Sequence, residues 1–166
     1  MDVAIIMGSD SDWGVMKKAV EVFNEFGVDA EITVASAHRT PERVKEFIAS
    51  CHEKDVKIFI AAAGCAAHLA GVVASYTAKP VIGVPINSEP LKGMDALLST
   101  VQMPSGVPVA TMAINGSKNA ALFAVEILAL TNDKIKSKLE DYRANMVKEV
   151  ERKAADVKRA FDEMKK

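Results

Sequence analysis

The chain has 166 residues, of which 49% are hydrophobic and 26% charged, with a formal net charge of -1 at neutral pH. Such a composition suits one globular domain with a sizeable core and excludes a disordered chain. The near-zero charge leaves no electrostatic footprint for nucleic acid or an anionic membrane, and no run approaches the roughly 20 apolar residues of a membrane span.

The opening "MDVAIIM" carries an acid where a secretory signal has basic residues, so export is not expected. Cys51 and Cys65 are too few for a disulfide framework and have no metal-ligand partner at usable spacing. A cytoplasmic protein with reduced thiols is the expectation.

In chain order, short β-branched runs alternate with longer helical stretches, the pattern of a parallel sheet with helices on both faces. "VAIIM" (3–7) reads as the first strand and 11–26 as the first helix. "AEITVAS" (30–36) reads as the second strand. The helix "TPERVKEFIASCHEK" follows, with Thr40 as its cap and Pro41 in its first turn. "VKIFIAAA" (56–63) is a third strand that runs into the small-residue segment "AAAGCAAHLAG". "KPVIGVP" and "VPVATMA" read as strands four and five, and "SKNAALFAVEILAL" as the last core helix. The methionines are scattered and read as core filler.

From about Asn132 the character changes. Ile135, Leu139, Tyr142, Met146, Val150, Val157, Phe161 and Met164 fall mostly three or four apart among alternating charges. That is an amphipathic helix, or two, longer than a domain of this size needs. The expected organisation is therefore a single α/β domain over 1–130 and a helical extension over 131–166 that packs on a neighbouring subunit.

Ligands of open parallel sheets bind outside the carboxyl ends of the strands, which selects four loops before any motif is named. These are "GSDSD", "SAHRTP", "AGCAAHLAG" and "PINSEPLKG". "GSDSD" has two readings. It is a plain helix start, since Ser and Asp cap helices well, or an anion site of serine hydroxyls and backbone N–H groups. Neither GxGxxG nor GxxxxGK[ST] is present, so dinucleotide and triphosphate readings are weak. A carboxylate beside such a site suits ribose hydroxyls, and a nucleoside monophosphate-like ligand would satisfy both sets of groups.

"SAHRTP" is more specific. Arg39 can fork to a phosphate, Ser36 adds a hydroxyl, and His38 is the side-chain type suited to proton transfer in both directions near neutral pH. Three such groups within four residues at a site-forming loop favour function over a capped turn. In loop three the lack of bulk lets backbone approach a flat ligand. His68 either reaches into the pocket or is a satisfied structural histidine. Cys65 has no base paired with it and reads as a small hydrophobe, and His52 reads as surface.

Taken together, "MGSDSDW", "SAHRTP", "AGCAAHLAG", "PVIGVP", "VQMPSGVPVATMAI" and "KNAALFAVEIL" resemble the PurE family, the bacterial N5-carboxyaminoimidazole ribonucleotide (N5-CAIR) mutases of purine biosynthesis. The likeness spans about residues 3–130. "SAHRTP" followed by the histidine of "AAHL" looks like the mutase class. Relatives that carboxylate aminoimidazole ribonucleotide (AIR) directly typically carry a lysine after the loop-two histidine and lack the second histidine.

The resemblance implies a three-layer αβα, flavodoxin-like doubly wound sheet of about five strands. It also implies a homo-octamer without metal or organic cofactor, acting on a ribonucleotide supplied by an ATP-dependent N5-CAIR synthetase. By the same matching, Ser9, Ser36 and Arg39 would hold the phosphate and Asp12 the ribose, with Asp10 and Ser11 left as a helix cap. Gly64, Ala66, His68 and Leu69 would wall the base, and His38 would shuttle the proton. Ala62 and Cys65 stand where glycine is usual and Ala70 where proline is usual, and the tail beyond Leu130 resembles the family only loosely. The alternatives are a direct AIR carboxylase using carbon dioxide and a non-enzymatic flavodoxin-like nucleotide-binding module.

Overall fold

A computed structural model describes residues 1–165. Five parallel strands stand in the order β2-β1-β3-β4-β5: β1 Val3–Met7, β2 Ala30–Val34, β3 Ile58–Ala63, β4 Val81–Pro85 and β5 Ala110–Thr111. The helices are α1 Trp13–Phe26, α2 Pro41–Glu53, α3 Leu69–Ser75, α4 Met94–Val101, α5 Ser117–Ala129 and α6 Asp133–Glu163. The doubly wound α/β expectation is met, and this strand order is the flavodoxin-like one.

The alternation of side chains along each strand divides the core in two. Val3, Ile5 and Met7 of β1, with Ile58 and Ile60 of β3, pack under α1, α5 and the start of α6. Ala4 and Ile6, with Phe59 and Ala61, face α2 and α3. Every residue of β1, β3 and β4 is buried, as expected of strands covered on both faces. β2 lies at one edge and is only partly covered.

Helix ends follow local chemistry. Gly27 ends α1 at φ 71°, and the Val28 N–H returns to the Phe23 carbonyl at 2.9 Å, the bond that closes a Schellman turn. Asn132 begins α6 by accepting from the N–H groups of Lys134 and Ile135 at 3.1 and 3.2 Å.

Several expectations need correction. β5 has two residues rather than the span of "VPVATMA", and β2 stops at Val34. α3 and α4 are additional helices: α3 is built of buried small and branched residues with no polar face to betray its period. The Thr40 hydroxyl does not cap α2, because it bonds the Ser36 backbone instead. Met7 and Met16 are core, but Met94, Met146 and Met164 are exposed.

The tail is one helix of 31 residues, about 46 Å long at 1.5 Å per residue. Its two halves differ. Ile135 enters the core, Leu139 and Tyr142 pack against it, and the Tyr142 ring meets Phe26 at 5.6 Å. The Lys138 ammonium donates to the Phe26 carbonyl at 2.9 Å and so closes the exposed end of α1. Beyond Arg143, which pairs with Glu126, the apolar stripe is largely uncovered among the described residues, with Met146 52%, Val150 66% and Val157 71% exposed. Thus the first turns of the extension pack on this chain's own core.

Candidate active site

The chain runs from β1 outward to β2 and then back across to β3, so the crevice of a doubly wound sheet opens beside the carboxyl end of β1. A cavity of about 480 Å³ lies there, within the size range of small-ligand sites. All four loops contribute, among them Ser9 and Asp12, Ser36 and His38, Gly64 and Ser88. A larger groove of about 870 Å³, lined by Tyr76, Lys79 and Phe123, lies at the start of β4 and β5. It sits at the wrong end of the strands for such a ligand and its lining holds no histidine or carboxylate, so the smaller cavity is the candidate site.

Loop one ends in a single 3-10 turn, Asp10–Asp12, and its cap is reciprocal. The Ser9 hydroxyl accepts from the Ser11 N–H at 3.3 Å, while the Asp12 carboxylate accepts from the Ser9 N–H at 3.1 Å. The cap is therefore Ser9 with Asp12, which corrects the assignment of that role to Asp10 and Ser11. Asp12 is 4% exposed, and burial raises its carboxyl above the ordinary value of 3.8. Hydrogen bonds from Ser9 N–H and the Ser11 hydroxyl pull the other way and are outweighed.

Loop two is tied by its own hydroxyls. Ser36 N–H donates to the Thr40 hydroxyl at 2.9 Å, and Arg39 N–H donates to the Ser36 hydroxyl at 3.2 Å. This knot presents both His38 and Arg39 outward at the cavity mouth, where both are exposed. The Arg39 guanidinium reaches across to the Gly8 carbonyl at 3.4 Å, so it spans loops one and two over the opening. A phosphate there would meet a planar cation next to serine hydroxyls, the arrangement that binds it well.

Loop three supplies the wall through Ala63, Gly64, Cys65, Ala67 and Leu69. Cys65 stands at φ 51°, the left-handed region, which explains why glycine suits this position. Ala62 lies within β3, where no such demand exists. His68 and Ala66 are not part of the wall. The His68 ring turns back so that Nδ1 lies 2.5 Å from the Ser99 carbonyl. A carbonyl only accepts, so Nδ1 carries the proton. The ring packs over Gly71, where any side chain would collide with it. His68 is thus a satisfied histidine that ties loop three to α4.

Of the residues expected at the site, Ser9, Asp12, Ser36, His38, Arg39, Gly64 and Leu69 converge on one cavity. Cys65 also lines the cavity, beside the base pocket where the resemblance places it, while Asn87 and Ser88 are lining residues that no motif singles out. Loop four was marked as site-forming, but its only signal was a serine among turn residues.

The two cysteines should separate cleanly. Cys51 is fully buried, and burial pushes its thiol up to about 11, whereas Cys65 is exposed in the cavity wall. A thiol reagent should therefore label one cysteine per native chain and two after unfolding; native labelling at Cys51 would contradict the burial. For Asp12 the folded value lies above the unfolded one, so the native state holds the proton more tightly. Its stability contribution is present below about pH 3.8 and is lost as pH rises through the folded value. Asp12→Asn keeps an acceptor for the Ser9 N–H and should gain stability relative to wild type as pH climbs through that window, as read by denaturant titration.

The AIR carboxylase family model matches residues 2–149. The N5-carboxyaminoimidazole ribonucleotide mutase of Pyrococcus horikoshii is 57% identical over 152 residues, covering 92% of this chain and 86% of that one. The mutase of the same name from Methanocaldococcus jannaschii is 53% identical over 159 residues, covering 96% and 99%. The crystal structure of Treponema denticola PurE superposes with a TM-score of 0.85 at 30% identity, covering 92% of this chain and 96% of the other. The chain belongs to the AIR carboxylase family.

Proposed function

We propose that the chain is an N5-carboxyaminoimidazole ribonucleotide mutase that moves a carboxylate from the exocyclic nitrogen to C4 of the imidazole in purine biosynthesis. The observation that carries this reading is the meeting of His38 with Arg39, Ser36, Ser9 and Asp12 in one cavity of a chain more than half identical to such mutases. Arg39, Ser36 and Ser9 receive the 5′-phosphate. Asp12 accepts from the ribose hydroxyls, and Gly64 and Leu69 flank the base.

In the first half-reaction the C–N bond of the carbamate breaks, carbon dioxide departs, and His38 delivers the proton that the nitrogen regains. In the second, C4 attacks the retained carbon dioxide and His38 removes the C4 proton. One imidazole thus gives and takes a single proton, with no net change on the enzyme. The cavity wall keeps the gas beside C4 between the halves, which makes an otherwise bimolecular recombination intramolecular.

The direct carboxylase shares the same fold and phosphate site, so substrate choice separates the two. Purified protein should convert the carbamate ribonucleotide without added bicarbonate. Turnover that begins only from AIR with bicarbonate would overturn the mutase reading. In the same assay His38→Asn should retain ligand binding while turnover falls at least ~100-fold, the scale of a lost acid–base group; undiminished turnover would remove His38 from the mechanism.

The reading carries an assembly with it: a cytoplasmic homo-octamer, fed by an ATP-dependent synthetase of the carbamate. The exposed half of α6 is the segment that a neighbouring subunit would cover, since Met146, Val150, Val157 and Phe161 form an apolar stripe that stays more than half exposed. Deleting residues 148–166 spares Ile135, Leu139 and Tyr142, so the domain should stay folded while the sedimenting species shrinks. An unchanged assembly would show that this half of the helix has another use.

A further inference from the structure

Between Gly64 and Ala67 the cavity wall consists of small residues, and Cys65 alone carries a side chain beyond Cβ. Cys65 also holds a left-handed backbone at φ 51°, which a residue with a Cβ adopts only when its surroundings impose it. The group that imposes it comes from loop four. The Ser88 hydroxyl accepts from the Cys65 N–H at 2.8 Å, and its own proton faces the Cys65 sulfur at 3.6 Å. Ser88 also fills the place beside Gly64: a Cβ built there would stand 3.2 Å from the Ser88 Oγ and 3.3 Å from its Cβ.

Ser88 is itself held firmly. One residue before it, Asn87 N–H donates to the Asn115 side-chain oxygen at 2.8 Å, and Asn115 N–H returns to the Pro85 carbonyl at 2.8 Å. Ile86 N–H donates to the Ala63 carbonyl at 2.9 Å, which aligns loop four with the end of β3. A rigid frame therefore ends in one hydroxyl, and that hydroxyl carries the only bond to the Cys65 N–H among the described residues.

We propose that Ser88 is a positioning residue of this site: by fixing Cys65 in its left-handed conformation it holds the Gly64–Ala67 wall against the cavity. Without the hydroxyl, the Cys65 N–H has no partner and the strained residue can relax, which carries the wall away from the ligand. The consequence for chemistry rests on the mutase reading. A wall that opens between the two half-reactions lets carbon dioxide escape, so decarboxylated AIR leaves in place of the carboxylated product. Ser88 acts through Cys65 and needs no contact with the reacting atoms.

Three measurements test this. In the wild-type protein the Cys65 amide should be protected from hydrogen exchange although its residue is exposed, and a fast-exchanging amide would overturn the proposal without any variant. In Ser88→Ala the Cys65 thiol should react with a thiol reagent about fivefold faster, the scale of one lost hydrogen bond, while Cys51 stays unreactive as proof of an intact core. In the mutase assay Ser88→Ala should release a larger share of AIR per product formed. Cys65→Gly in that background should restore the partition, because glycine adopts the left-handed conformation unaided. An unaltered thiol rate, or a double variant as leaky as Ser88→Ala, would refute the role. If no protein turns over the carbamate, the functional reading fails, and the exchange and thiol measurements still decide what Ser88 does.

Discussion

The backbone ladder of the parallel sheet continues one residue past its strands, and the site hangs on that continuation. Ala35 N–H donates to Met7, Gly8 N–H to Ala62 and Ile86 N–H to Ala63, each at 2.9 Å. These bonds carry the register of β2, β1, β3 and β4 into the first residues of their loops. With β1, β3 and β4 buried along their whole length, polar chemistry has nowhere to sit except beyond the strand ends. Because the strand order reverses at β1, the loops diverge there and leave a crevice between them. Fold and site are thus two results of one constraint.

Each loop is then fastened by short polar side chains rather than by bulk. Ser9 and Asp12 close the first, Ser36 and Thr40 the second, and Ser88 reaches from the fourth to the third. His68 does comparable work on the far side of the wall through Ser99. This arrangement leaves His38 and Arg39 projecting from a tied turn at the cavity mouth, preorganised yet accessible. Its cost is a buried carboxylate at Asp12, held because its hydrogen bonds shape the turn that faces the ligand.

The long terminal helix shows how one amphipathic pattern can serve two partners. Its first turns complete the core through Ile135 and cap α1 through Lys138. Later turns keep the same apolar spacing but stay largely exposed among the described residues. Periodicity reports that a face is apolar and is silent on whose surface it meets, so the sequence pattern alone assigned the whole extension to a neighbour. Only the packing of Leu139 and Tyr142 on α5 and α1 divides it.

Much of this protein was legible without coordinates, because the signals were local. Strand and helix order follows from periodicities of two and 3.6 along the chain, and a parallel doubly wound sheet follows from their alternation. His38 and Arg39 stand out because three chemically capable residues share one short loop. Short elements were lost for the same reason: α3 has no polar face to reveal its period, and β5 is defined by pairing with β4 rather than by its own composition. What the tertiary structure alone decided were the contacts between loops distant in sequence. His68 turns away to Ser99, 31 residues on, and Ser88 grips Cys65 across 23 residues. No local pattern encodes such pairings, since they arise when the sheet brings separate strand ends side by side.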